Sequence, residues 1–224
     1  MADNQITYRR GESGTERLLA LSDGVFAIAI TLLVLNLVPP TVNQGLGRAL
    51  LDMWPSYLSY LMSFLLIGVI WTNHHSMFIH IKRTNQTFLL INIVFLLWVA
   101  VLPFPTSLLA KYLTVPSEQH LVMAIYAAMF VVGAVLFNVL WWYATYNRRL
   151  TSDGPDTVAI RRTTVSYYVG PVSYLVALGL AYVNVALSLI LFVALAVFYA
   201  ISPMMGNTGD AQPVTHMEGS PTTE

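Results

Sequence analysis

From Thr163 to Gly209 the chain carries no charged side chain. The apolar part of that stretch, about 40 residues, would form a single helix about 60 Å long, twice the roughly 30 Å hydrocarbon core of a bilayer, which about 20 apolar residues cross as a helix. The segment must therefore fold back on itself. The natural break is Tyr182-Val183-Asn184, with a fifth helix before it and a sixth ending near Ser202-Pro203. Four earlier runs have the length of one crossing: about Leu18 to Val38, stopped by Pro39-Pro40; Trp54 to Phe78, before Lys82-Arg83; Thr87 to Leu109; and Gln119 to Tyr146. Backbone polar groups in hydrocarbon must be satisfied inside their own segment, so the six runs predict an all-α polytopic membrane protein with six transmembrane helices. The first run follows Arg9-Arg10 as a signal peptide would, but it contains Asp23 and no small-residue cleavage site precedes Pro39, so it reads as a helix that stays.

Charge is scarce everywhere else too: 10% of residues are charged, against about 25% in an ordinary soluble domain. That argues against a water-soluble enzyme. Eleven basic and eleven acidic residues cancel, without the basic excess that phosphate neutralisation needs, so nucleic acid is not an expected partner. With no cysteine, disulfides, thiolate metal sites and cysteine nucleophiles are excluded together. Nine of the eleven basic residues (Arg9, Arg10, Arg17, Lys82, Arg83, Arg148, Arg149, Arg161 and Arg162) fall on one side of six alternating spans, and only Arg48 and Lys111 on the other. The positive-inside rule then puts both termini in the cytoplasm. The expected organisation is a cytoplasmic N-terminus over residues 1–16, a membrane domain over 17–203 and a disordered cytoplasmic tail over 204–224, rich in Gly, Thr, Pro and acid.

Polar side chains inside a membrane are costly and usually functional. Ser22, Asp23, Thr31 and Asn36 lie in the first run, Asn73, His74 and His75 in the second, and Asn92, Asn138 and Asn184 in later ones. Asp23 is six residues from Arg17 and His75 seven from Lys82, which places them about 9 and 10 Å from the same boundary. A hydrogen bond from His74 or His75 to Asp23, with Ser22, Trp71 and Asn73 nearby, would satisfy both groups. Adjacent histidines point about 100° apart on a helix and no HxxxH or HExxH spacing occurs, so no metal site is expected. A proton relay through the same residues is chemically reasonable, and it supports an alternative function, a proton-coupled secondary transporter. Paired Gly/Pro-broken helices in matching halves, common in such transporters, are not evident in the sequence. A scaffold with no flux would fit the composition equally well.

On a helical wheel that advances about 100° per residue, Gly24, Ile28, Thr31, Leu32 and Leu35 share one stripe, while Ser22 and Asp23 both point away from it. One face is thus largely apolar and free of the two polar groups, which turn to the other side. The segment from Arg17 through Leu21-Ser22-Asp23 to Leu35, together with Trp71-Thr72-Asn73-His74-His75, resembles the bacterial branch of the endolysosomal potassium channel family. The first helix of that family carries Arg or Lys, three variable residues and Phe-Ser-Asp. Leu21 stands where the motif has phenylalanine, which keeps the apolar volume and loses the ring.

The resemblance implies a homotetramer in the bacterial inner membrane, with four first helices around a potassium-permeable pore and no cofactor beyond the permeant ion. It places the hydrophobic constriction on Ile28, with further layers on Leu32 and Leu35. Thr31 is the one hydroxyl near that stripe and is able to offer oxygen to a partly dehydrated cation. Arg17, Ser22, Asp23, Trp71, Asn73, His74 and His75 form the motif network that supports it. Tyr168-Val169-Gly170-Pro171 only superficially echoes a carbonyl filter. Gly170-Pro171 reads instead as a kink or a close helix approach.

Overall fold

The computed structural model describes residues 12–41, 45–146, 150–151 and 157–206. The expected disordered tail lies almost wholly outside the described residues, as do Arg148 and Arg149. The described chain is α-helical: α1 (Glu12–Leu32) runs into a 3-10 turn (Leu33–Asn36), then come α2 (Leu46–Asp52), α3 (Trp54–His80), α4 (Gln86–Val101), α5 (Pro103–Tyr112), α6 (Gln119–Thr145), α7 (Thr157–Val183) and α8 (Val185–Gly206). Among the described residues there is no strand, only an isolated antiparallel bridge between Ile81 and Thr151.

Five segments are long and apolar enough to cross a membrane: Thr15–Asn36, Trp54–His80, Gln86–Tyr112, Gln119–Thr145 and Thr163–Val183. The apolar helix Val185–Tyr199 is shorter. The hairpin break falls at Asn184, the single residue between α7 and α8, and its side chain accepts the Leu187 N–H at 3.2 Å. Three details differ from expectation. The first helix leaves α geometry at Leu33, short of Val38; α8 continues past Pro203 to Gly206; and the short α2, introduced by Gly45 with its positive φ of 95°, is an added element. Large apolar side chains such as Leu90, Ile93, Val94 and Leu97 on α4 point outward, a surface stable in lipid and aggregation-prone in water.

The third span bends because Pro103 has no N–H to give the Val99 carbonyl. That carbonyl takes the Leu102 N–H instead, at 3.2 Å. A chain of hydroxyls ties the bend to its neighbours. Thr106 donates to the Leu102 carbonyl at 2.9 Å, so Ser63 on α3 must donate to Thr106 at 2.8 Å and Tyr126 on α6 to Ser63 at 2.9 Å, since each hydroxyl has one proton. In α7, Pro171 likewise strips the Tyr167 carbonyl of its helical partner. The Asn138 amide of α6 donates to that carbonyl at 3.2 Å. The close approach expected near Gly170 is found at Gly133 instead, where the Trp98 indole of α4 occupies the space a Cβ would need. That indole also donates to the Met129 carbonyl at 2.8 Å.

On the basic side, Lys82 and Arg83 donate their backbone N–H groups to the Leu150 carbonyl at 2.8 and 3.2 Å, joining the loop after α3 to the one after α6. Around this frame α1 lies against α3, α4 and α5.

Candidate functional site: the outward face of α1 and its support

Two sides of α1 have opposite environments. Leu18, Ser22, Phe26, Ala29 and Leu33 recur every three or four residues and are buried against the subunit, the spacing of one helix face. The opposite face is open: Ile28 is 61% exposed, Leu32 41% and Leu35 68%, Thr31 and Gly24 are exposed, and a Cβ at Gly24 would meet nothing within 4 Å. The angular stripe is therefore the face of α1 turned away from its own subunit. Leu21, in the motif phenylalanine position, is exposed on the same side. Thr31 donates its hydroxyl proton to the Ile28 carbonyl at 2.9 Å, which leaves the oxygen lone pairs facing outward.

The polar support is built differently from the expected Asp23–histidine bond. Asp23 accepts a 2.8 Å hydrogen bond from the Trp71 indole, and neither histidine reaches it. His74 is fully buried, and its Nε2 lies 3.0 Å from Asn92 Oδ1. The Asn92 amide donates to Ser22 at 3.1 Å, and Ser22 donates to the Leu18 carbonyl at 2.9 Å. These directions fix the tautomer. Asn92 Oδ1 only accepts, so His74 carries its proton on Nε2, while its buried Nδ1 has no partner. The imidazole stacks on Phe95 at a 5.4 Å centroid separation and contacts Phe26 and Phe78. His75, about 100° further round α3, is exposed and packs beside Trp71. The Asn73 carbonyl accepts from Tyr167 on α7 at 3.4 Å, and Arg17 is exposed near the start of α1.

Asn92 is the member of the network that the sequence reading leaves unplaced, although depth points to it. It is six residues into α4, His74 six from the end of α3, and Ser22 five from Arg17, all about 7–9 Å from one boundary. Among the described residues no group of three or more His, Cys, Asp or Glu side chains is placed to hold a metal.

The fold is that of a multi-pass helical membrane protein whose first helix is packed and hydrogen-bonded against its own chain on one face and presents a bare aliphatic stripe on the other. Residues 17–103 match the family described as the endosomal/lysosomal potassium channel TMEM175. A potassium channel of Streptomyces collinus is 39% identical over 202 residues, spanning 89% of this chain and 97% of that protein. The chain belongs to the TMEM175 family. The crystal structure of a lysosomal potassium-selective channel TMEM175 homologue from Chamaesiphon minutus superposes with a TM-score of 0.78 at 41% identity, covering 85% of this chain and 98% of that one. The rat endosomal/lysosomal proton channel TMEM175 is 32% identical over 146 residues, 61% of this chain and 29% of that longer protein.

Proposed function

We propose that the protein is a potassium-permeable, modestly potassium-selective channel, neither an enzyme nor a coupled transporter, and that four copies place their α1 helices around one pore. The observation that carries the reading is the exposed stripe of Ile28, Leu32 and Leu35 on a helix whose other face is buried, in a chain with full-length relatives named potassium channels. One helix per chain cannot enclose a pore, so the stripe needs a closed symmetric ring. A ring of branched aliphatic side chains gates by dewetting. It favours K⁺ over Na⁺ because K⁺ gives up hydration water at lower cost, and the outward oxygen of Thr31 assists. Lipid surrounds the assembly in the bacterial inner membrane. In this reading α8 supplies a sixth span, and the basic side, with both termini, faces the cytoplasm.

Proton-coupled transport loses its motif. The transporter reading required Asp23 and a histidine to exchange protons, but Asp23 accepts from an indole and His74 donates into a chain that ends at a backbone carbonyl.

The test is planar-bilayer recording of the purified protein with K⁺ and Na⁺ on opposite sides, repeated under a pH gradient without K⁺. Discrete openings that reverse toward the K⁺ potential are expected, with larger conductance or leak in Ile28→Ala. Saturable flux that follows the pH gradient, or currents unchanged by substitution at Ile28, Leu32 and Leu35, would overturn the assignment.

A further inference from the structure

A cavity of about 710 Å³ opens within the helical body, and no residue of α1 lines it. Its mouth lies between Phe64, Trp71 and Thr72 of α3 and Val169 and Phe198 of α7 and α8, all exposed, while its inner wall is made by the buried rings of Trp98, Phe130 and Phe137. One end is polar: Asn73 and Asn138 are each seven residues from the ends of their helices on the Lys82 side, about 10 Å in. The other end, at Phe64 and Phe130, is about 22–24 Å in. The cavity is thus roughly 13 Å long and runs along the membrane normal.

Some of the polar groups at its shallow end are already used. The Asn73 carbonyl accepts from Tyr167, and the Asn138 amide donates to the Ala134 and Tyr167 carbonyls. No charged residue lines it. Along the apolar remainder of the cavity water would have few partners, and an empty space of this size would forfeit the dispersion contacts of its walls. The volume lies within the range of small-molecule sites, about 300–1,000 Å³, and the span from about 10 to 24 Å below the Lys82 boundary crosses the middle of the roughly 30 Å core, where the surrounding solvent is lipid tails.

We infer that the cavity is a binding site for one acyl chain of a membrane phospholipid, drawn from the leaflet on the side of Lys82 and Arg83. The chain enters between α3 and α7–α8, lies against Gly68 and ends beside Phe130. It touches the Trp71 ring, whose N–H holds Asp23 on α1.

The test reconstitutes the full chain in vesicles containing a phosphatidylcholine with a diazirine in one acyl chain, irradiates them, and maps the adducts by fragmentation mass spectrometry. Label is expected on Trp98, Phe130 or Phe137, rings that bulk lipid around the protein cannot touch. Gly68→Leu should abolish it, since a Cβ at Gly68 meets open space within the cavity and no atom within 4 Å. Ala134→Leu fills the same space from α6. Gly179→Leu, also open around its Cβ but outside the cavity, should keep the label. Unlabelled inner rings in the wild-type protein, as when a second copy's side chains plug the mouth, would overturn the site. So would label that persists unchanged in both filled variants. The experiment reads no current, so its outcome is independent of whether the pore conducts.

Discussion

Asp23 and His74 lie at similar depth on neighbouring helices yet take different partners, because of what each group can exchange. A carboxylate only accepts and an indole N–H only donates, so Trp71 serves Asp23 without any proton changing hands. Trp71→Phe removes that donor from a half-buried carboxylate. Hydrogen bonds to charged groups contribute about 1.5–3 kcal/mol, so a clear fall in the thermal midpoint of the detergent-purified protein is expected. Asp23→Asn keeps an acceptor oxygen and should lose less. If Trp71→Phe melts with the wild type, the bond contributes nothing. Asn92→Leu strands His74 Nε2–H in the core and takes a donor from Ser22. Leaving a buried polar group unsatisfied costs about 1–3 kcal/mol, read in the same melt, with an unchanged midpoint as the contrary result. The sequence made the participants legible, since each is a polar residue in an apolar run. It did not make the pairing legible, because depth alone leaves rotation about each helix open. His74 and His75 are adjacent and so nearly level along α3, and only packing turns one inward to the phenylalanines and the other out beside Trp71.

At the level of elements, the spans were legible for the reason that makes hydropathy informative: a crossing helix must be long and must satisfy its own backbone. That the last apolar stretch must fold back followed from length alone, and the break falls at Asn184, within the expected Tyr182-Val183-Asn184. The bend at Leu102-Pro103 was not read from the sequence, where Thr87 to Leu109 counts as one run, although its cause, a proline inside that run, is local; the compensating hydroxyl chain through Thr106, Ser63 and Tyr126 joins residues far apart in sequence, and no local pattern announces it. Asn138 and Pro171 show the same logic in a form that can be tested. The proline frees the Tyr167 carbonyl, and the amide on α6 satisfies it at 3.2 Å. Asn138→Ala should therefore destabilise by about 1–3 kcal/mol, and Pro171→Ala, which restores a helical N–H, should recover much of that loss in the double variant. Additive losses in a double-mutant cycle would show that the two residues do not share the carbonyl.

For the molecule as a whole, the central question is how an ion crosses a protein whose outward α1 stripe carries no charge. In the proposed tetramer Ile28 of one chain would face its counterparts in the others, and helix axes in contact are about 8–10 Å apart. The absence of cysteine from the chain allows a direct test, because any disulfide in a single-cysteine variant must join two copies. A disulfide requires Cα atoms within about 4.4–6.8 Å, a separation that side chains crowded into a constriction reach with small helix movements and that outward lipid-facing positions do not. Oxidation of Ile28→Cys or Leu35→Cys in membranes should therefore give a dimer band on a denaturing gel that reductant removes. Val94→Cys, also exposed in the single chain but on α4, should stay monomeric. Were Ile28→Cys to remain monomeric while Val94→Cys cross-linked, the subunits would meet through α4, and the aliphatic face of α1 would be turned to lipid rather than to an ion path.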